Sequence, residues 1–202
     1  EPAAKLDADD GMYTGAQNMF YLDAGPYTGE ITPAMLKREE VTYVICGHLD
    51  RTRGAVEIIE TPALINKKVK AALNAGLVPV VFVTDTLSER RQGLTEDVLK
   101  VQLAEILEGI TAEQVRQAVV VYLPMWVKEL EESKQKAMPA REVQKTFASI
   151  REWLMQRYGK KASRGVYLLY GRLVYDRNAA NYTAQPDIDG VFVSTSAASA
   201  EN

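Results

Sequence analysis

His48 is the one histidine in the chain, and its side chain is the group best suited to proton transfer near neutral pH. It directly follows an apolar run, Tyr43 to Gly47, which predicts a position at the end of a buried strand. A histidine placed there can act as a catalytic electrophile or exchange a proton with a bound substrate. A nucleophilic triad of His48 with a serine and an aspartate is a second hypothesis, although the chain contains no Gly-x-Ser-x-Gly signature. The third is a histidine held only by packing and hydrogen bonds.

Composition excludes several other kinds of site. With one cysteine, Cys46, and one histidine, the chain cannot form a Cys/His zinc site or an intrachain disulfide. The formal net charge is −3, from 24 Lys and Arg against 27 Asp and Glu, which argues against a general nucleic-acid-binding surface. The first βα turn lacks a Gly-rich dinucleotide fingerprint. We therefore predict no metal, no cofactor and no nucleic-acid partner.

Two groups of basic residues are interpreted as solvated surface, with contact to nucleic acid or an acidic partner as the alternative. They are Lys67, Lys68 and Lys70, and Arg157, Lys160, Lys161 and Arg164. Cys46 lies inside an apolar run, which favours a small buried hydrophobe over a reactive thiol.

The ends of the chain and its apolar runs bear on localisation. Residues 1–10 are polar and acidic, which does not fit a signal peptide, and we interpret them as an N-terminal arm before a domain at 11–202. The longest apolar runs have the length of a strand, so no membrane span is predicted. A soluble protein is expected, and the sequence assigns no compartment.

Six apolar runs predict buried strands, and the amphipathic segments between them predict helices. The predicted strands are Met12 to Met19, Val41 to Gly47, Val78 to Thr84, Ala118 to Leu123, Gly165 to Tyr170 and Gly190 to Ser194. The predicted helices begin at Pro62, Thr95, Ala112, Pro139 and Asp176. This alternation predicts an α/β fold with a parallel sheet, either an open doubly wound sheet or a (β/α) barrel.

Several short motifs follow one another in a fixed order. They read Gly15-Ala16-Gln17-Asn18, Tyr27-Thr28-Gly29-Glu30-Ile31, Tyr43-Val44-Ile45-Cys46-Gly47-His48, Leu87-Ser88-Glu89-Arg90, Tyr122-Leu123-Pro124-Met125-Trp126, Leu169-Tyr170-Gly171 and Gln185-Pro186-Asp187-Ile188-Asp189-Gly190. Over about residues 11–193 this series resembles the triosephosphate isomerase family. The resemblance implies an eight-stranded (β/α) barrel, usually a homodimer, that interconverts two triose phosphates through an enediolate.

The resemblance implies a glutamate base and a neutral histidine electrophile, and this chain matches only one of them. His48 corresponds to the electrophile, whereas Leu123 stands where the resemblance implies the base, and leucine has no proton to exchange. The implied phosphate-binding glycines are interrupted, since the chain reads Gly171-Arg172-Leu173 and Ser194-Thr195 there. The implied lid corresponds to Val127 to Ser133, a loop rich in carboxylates, and the run from Glu129 to Lys136 is interpreted as an exposed loop or the start of a helix.

The resemblance also implies parts that the chain lacks. No segment corresponds to the first two βα units of the family, which carry an Asn-x-Lys on the first strand, or to its last helix. We therefore predict an incomplete (β/α) barrel of about six parallel strands. Its terminal strand edges would template aggregation if left bare, so we expect a partner chain, either a second copy or a different protein, to cover them.

The segment from Gln17 to Ile31 supplies candidate partner contacts, because the resemblance implies a loop there that projects into a neighbouring subunit. The candidates are Gln17, Asn18, Tyr27, Thr28, Gly29 and Glu30. The leading hypothesis is a catalytically degenerate pseudoenzyme that serves as a structural or protein-interaction subunit. The alternative is a sugar-phosphate binder or isomerase whose site has re-formed around His48, Arg172 and Asp85. A third hypothesis is that the sequence is part of a longer enzyme, although Leu123 argues against that version.

Overall fold

The computed structural model describes residues 11–52, 59–134 and 136–193. The predicted N-terminal arm at 1–10 and the Ser194-Thr195 pair lie outside the described residues. The described chain forms two compact units that divide between Val81 and Phe82. They are called the first and the second unit below.

Six strands form the sheet, and their order in the sheet is their order in the chain. They are β1 (Gly15–Ala16), β2 (Tyr43–Cys46), β3 (Val78–Val83), β4 (Val119–Tyr122), β5 (Tyr167–Gly171) and β6 (Gly190–Phe192). A doubly wound sheet would reverse its order at a switch point, so the unbroken order decides for the topology of a (β/α) barrel. The predicted fold class, α/β with six parallel strands, is confirmed.

Within each unit the strand pairs are parallel. In the first unit Gly15 lies opposite Tyr43, and Tyr43 opposite Val78. In the second unit β4 pairs with β5, with Val119 opposite Tyr167. Strand β5 also pairs with β6, with Leu169 opposite Gly190. Every residue of β4 is buried, as expected for a parallel strand that is covered on both faces.

Ten α-helices follow or precede the strands in the described part of the chain. They are α1 (Pro33–Arg38), α2 (Leu49–Thr52), α3 (Pro62–Asn74), α4 (Leu87–Arg91), α5 (Thr95–Ile106), α6 (Ala112–Val115), α7 (Trp126–Glu129), α8 (Ala140–Tyr158), α9 (Lys160–Gly165) and α10 (Asp176–Thr183). The predicted start of α3 is confirmed, since the Thr61 hydroxyl accepts from the Leu64 N–H at 3.3 Å and Pro62 occupies the first turn.

The first strand is much shorter than predicted. Only Gly15 and Ala16 pair with β2, whereas the apolar pattern predicted a strand over Met12 to Met19. The side chain of Asn18, two residues after the last paired residue, accepts a hydrogen bond from Lys68 Nζ at 2.6 Å. The apolar pattern therefore overestimated the strand because it gave no weight to the polar pair at positions 17 and 18.

The predicted loop at Val127 to Ser133 was also wrong in part. Trp126–Glu129 forms the single-turn helix α7, and a 3₁₀ turn follows at Glu132–Lys134. The main-chain N–H groups of Met125 and Trp126 both donate to the Asp85 carbonyl at 3.1 Å, which fixes the start of the turn. No apolar periodicity announces a helix of four residues, since one turn is shorter than the repeat.

Helix α1 ends on a residue that stores backbone strain. Glu40 has a φ of +58° and is exposed, and the Val41 N–H closes the helix end on the Leu36 carbonyl at 3.0 Å. Glycine is favoured in this left-handed position because a Cβ atom crowds the following carbonyl there. We therefore expect Glu40→Gly to raise the free energy of unfolding by about 0.5–1 kcal/mol in urea denaturation. Glu39→Gly, one residue earlier at φ −88°, is the control and should lower it; a decrease for Glu40→Gly would contradict the strain.

Candidate functional site

His48 follows β2 and immediately precedes α2, at the carboxyl end of its strand as predicted. Its side chain is 26% exposed, and the main-chain N and the Oδ2 atom of Asp50 each lie 3.3 Å from Nδ1. The two contacts require opposite protonation of Nδ1. The backbone N–H needs an Nδ1 atom that accepts, whereas the carboxylate needs a proton on Nδ1. With Nδ1 as the acceptor, a neutral imidazole carries its proton on Nε2, from which it can be donated to an oxygen at the strand end.

A buried charge cluster lies below His48 in the first unit, and the sequence did not reveal it. Lys68 is 3% exposed, and its Nζ atom donates to Glu60 Oε1 and to Asn18 Oδ1, both at 2.6 Å. The Arg51 guanidinium shares the same Glu60 oxygen at 2.5 Å. The interpretation of Lys68 as solvated surface is therefore wrong. The signal was its position on the apolar stripe of α3, where a solvated lysine would not lie.

Cys46 is the last residue of β2 and is fully buried, which confirms the prediction of a small buried hydrophobe. Burial raises the pKa of the Cys46 thiol to about 12, and the nearby Lys68 ammonium only partly opposes that effect. Because the thiolate is the reactive form, Cys46 does not supply a nucleophile at neutral pH.

Leu123 comes directly after β4 in the second unit, where its side chain is 6% exposed. Its N–H donates to the Val83 carbonyl at 3.0 Å, and its carbonyl accepts from the Thr84 hydroxyl at 2.8 Å. Gly171 lies so close that a Cβ atom there would stand 2.8 Å from Leu123 Cδ1 and 3.3 Å from a ring carbon of Phe192. Leu123 is thus a buried apolar residue beside Gly171.

Asp85 is fully buried two residues after the end of β3, and its carboxylate is hydrogen-bonded to other side chains of the second unit. Its carboxylate accepts from the Thr95 hydroxyl at 2.6 Å and from the Tyr122 hydroxyl at 2.9 Å. Burial raises the pKa of Asp85, while these two hydrogen bonds and the charge of Arg90 oppose the rise. Together with the bonds from the start of α7 to its carbonyl, this makes Asp85 an anchor of the α7 segment.

Arg172 and Leu173 follow β5 in backbone conformations that favour glycine, with φ values of +105° and +52°. Arg172 Nε donates to the Pro124 carbonyl at 3.1 Å, so its side chain spans the ends of β4 and β5. The side chains of Arg172 and Leu173 therefore occupy a turn where glycine residues would leave the backbone accessible.

The candidate partner loop has a rigid base and an exposed tip. The Phe20 N–H donates to the Ile31 carbonyl at 2.8 Å, and the Phe20 ring contacts that of Tyr27 with centroids 4.5 Å apart. Gln17, Tyr27, Thr28, Gly29 and Glu30 are exposed, whereas Asn18 is partly buried by its bond to Lys68.

Among the described residues no group of three His, Cys, Asp or Glu side chains is arranged to hold a metal ion. In the same part of the chain, no helix has both the length and the apolar character needed to cross a membrane.

Comparison with known proteins decides the family. The sequence model of the triosephosphate isomerase family matches residues 2–202. This chain belongs to the triosephosphate isomerase family. The membership agrees with the consecutive strand order and with the place of His48 at the end of β2.

Bacterial triosephosphate isomerases are among its relatives. The one from Caldanaerobacter subterraneus subsp. tengcongensis is 38% identical over 199 residues, which cover 98% of this chain and 77% of the relative. That from Dictyoglomus thermophilum is 39% identical over 191 residues, or 95% of this chain and 74% of the relative. That from Carboxydothermus hydrogenoformans is 38% identical over 179 residues, which cover 89% of this chain and 68% of the relative.

Proposed function

We propose that this chain is a non-catalytic member of the triosephosphate isomerase family that acts as a structural or protein-interaction subunit. The observation that carries the proposal is Leu123, a buried aliphatic residue beside Gly171 where the family resemblance implies the general base. Proton abstraction next to a carbonyl needs a group that binds and releases a proton, and a leucine side chain does neither.

The surroundings of Leu123 support the same proposal. Arg172 and Leu173 place side chains in a turn where the resemblance implies phosphate contacts from glycine backbone. The α7 segment, in the place of the implied lid, is held at its start by the Asp85 carbonyl and at its end by Glu129, whose Oε2 accepts from the Leu87 N–H at 2.9 Å. Anchors at both ends favour a static turn over a lid that opens and closes.

The proposed role as a protein-interaction subunit rests on an exposed loop, on two strand edges and on exposed apolar side chains. The tip of the loop at 27–30 is exposed on a base that aromatic contacts hold in place, so it can dock with little ordering cost. In the described residues β1 and β6 each have one strand neighbour, and Met12 and Tyr13 beside β1 are 46% and 54% exposed. We propose that a partner chain, a second copy or a different protein, covers these groups.

Residual or altered sugar-phosphate binding, with or without isomerisation, is the second candidate function. His48 supports it, because this residue keeps its place at the strand end and remains 26% exposed. The names of the curated relatives support it as well. Asp85 does not, because its carboxylate is buried and bonded to Thr95 and Tyr122.

Two measurements on the full chain test the proposal. In an isomerase assay with glyceraldehyde 3-phosphate we expect no turnover above the buffer rate. In sedimentation equilibrium we expect a mass above the 22.4 kDa of one chain, either alone or with its native partner. Turnover that His48→Ala abolishes would overturn the first half, and a stable lone monomer in both native extract and purified form would overturn the second.

A further inference from the structure

A cavity of about 370 Å³ opens in the second unit, away from the strand ends that carry Leu123 and Asp85. It is lined by helices α8 and α9 and by the segment that precedes β6. Its lining comprises Arg151, Met155, Lys160, Ser163, Arg164, Pro186, Asp187 and Asp189. The volume falls in the range of sites for small molecules.

The floor of the cavity is a closed network. Arg151 donates to the carbonyls of Ser163 at 2.6 Å and Val166 at 2.8 Å, and to Asp189 Oδ2 at 2.7 Å. Asp187 lies beside the same guanidinium, with its Oδ1 atom 3.7 Å from Arg151 Nε. Because the donors of Arg151 and the acidic oxygens already face one another, the floor is a rigid base and does not itself need a ligand.

The rim differs from the floor, since it carries two cations without a counter-charge. Lys160 and Arg164 stand four residues apart on α9, hence on one face of it, and both are exposed. In the described part of the chain neither makes an ion pair or a side-chain hydrogen bond. Met155, which is 42% exposed, and Pro186 form an apolar wall opposite.

The charges of the lining define the ligand. The floor carries one guanidinium and two carboxylates, and the rim adds two cations, so the lining has one positive charge in excess. We propose that this cavity binds a small organic carboxylate, with its single negative charge between Lys160 and Arg164 and its short apolar body against Met155 and Pro186. The guanidinium fork of Arg164 suits a carboxylate, and a multiply charged anion would meet Asp187 and Asp189.

The test is an NMR titration of the ¹⁵N-labelled full chain with sodium butyrate at constant ionic strength. We expect saturable shifts of the amide signals of Ser163, Arg164 and Asp189. Lys160→Gln/Arg164→Gln should weaken butyrate binding at least about tenfold, because both charge contacts are lost.

Arg157→Gln/Lys161→Gln is the matched control, since it removes the same charge from residues outside the lining. It should change the affinity less than about twofold at constant ionic strength, because exposed charges outside the site are screened by salt. The proposal is overturned by shifts that do not saturate, by equal losses in both double variants, or by inorganic phosphate binding as tightly as butyrate with the same sensitivity. A polyglutamate peptide that binds this surface while butyrate does not would also overturn it in favour of a protein contact.

Discussion

Leu123→Glu is expected to lower the free energy of unfolding by about 2–5 kcal/mol and to yield no isomerase activity. The new carboxyl group would replace a side chain that is 6% exposed and whose Cδ1 atom lies beside Gly171. An isolated charge buried in such surroundings either remains unpaired or takes up a proton. Activity would not follow, because Arg172 and Leu173 still occupy the turn that the resemblance assigns to phosphate.

The loss should depend on pH in a defined direction. Burial would hold the folded-state pKa of the new carboxyl above its unfolded value of about 4.3. The deficit relative to the unsubstituted protein is therefore smallest below that value and grows as the pH rises through the folded-state pKa. Urea denaturation of both proteins between pH 4 and pH 8, roughly the span of these two ionisation ranges, measures this difference.

Leu123→Met is the matched control for the glutamate variant. It preserves volume and apolar character, so it should cost less than about 1.5 kcal/mol with no dependence on pH. Triose phosphate turnover by Leu123→Glu at a rate well above buffer would show that the rest of the site is intact. That result would refute the proposal that the other residues of the site, Arg172 and Leu173 among them, prevent catalysis.

Lys68→Met should cost about 3–5 kcal/mol in the free energy of unfolding. The methionine fills a similar volume but removes the ammonium that bonds to Glu60 Oε1 and to Asn18 Oδ1. Glu60, whose side chain is fully buried, would keep only the contact with Arg51. Urea denaturation with a two-state fit measures the loss, provided that the slope of the transition is unchanged.

Two further variants separate the buried pair from a general effect of charge. Lys67→Met removes an exposed neighbour on the same helix and should cost less than about 1 kcal/mol, most of it from the lost contact with the Tyr21 ring. Glu60→Gln/Lys68→Met should recover part of the stability lost in Lys68→Met, because a neutral amide then replaces the buried carboxylate that has lost its lysine partner. Equal losses for Lys67→Met and Lys68→Met would contradict the buried cluster.

Much of the fold could be predicted because the signals were local. The continuous apolar run of β4 and the Thr61-Pro62 start of α3 each depend on a few adjacent residues, and both appear where expected. The strand order could not be predicted from periodicity, since an open sheet and a barrel contain the same βαβ units. The single-turn helices α2 and α7 were missed because four residues carry no repeat. Helix α6 has the same length but was predicted, because the segment from Thr111 to Gln114 has the sequence of a capping box.

The candidate site divides along a similar line. The sequence alone predicted that His48 follows β2 and that Cys46 is buried. Its series of motifs also indicated the family, which the comparison confirms. The tertiary structure decided the partners. Three contacts join residues that are 8 to 41 positions apart: the bond of Lys68 to Glu60, the anchoring of α7 by Asp85, and the pairing of Arg151 with Asp189. Hydrophobic periodicity reports which face of an element is buried, whereas the partner of a buried charge depends on which elements the fold brings together.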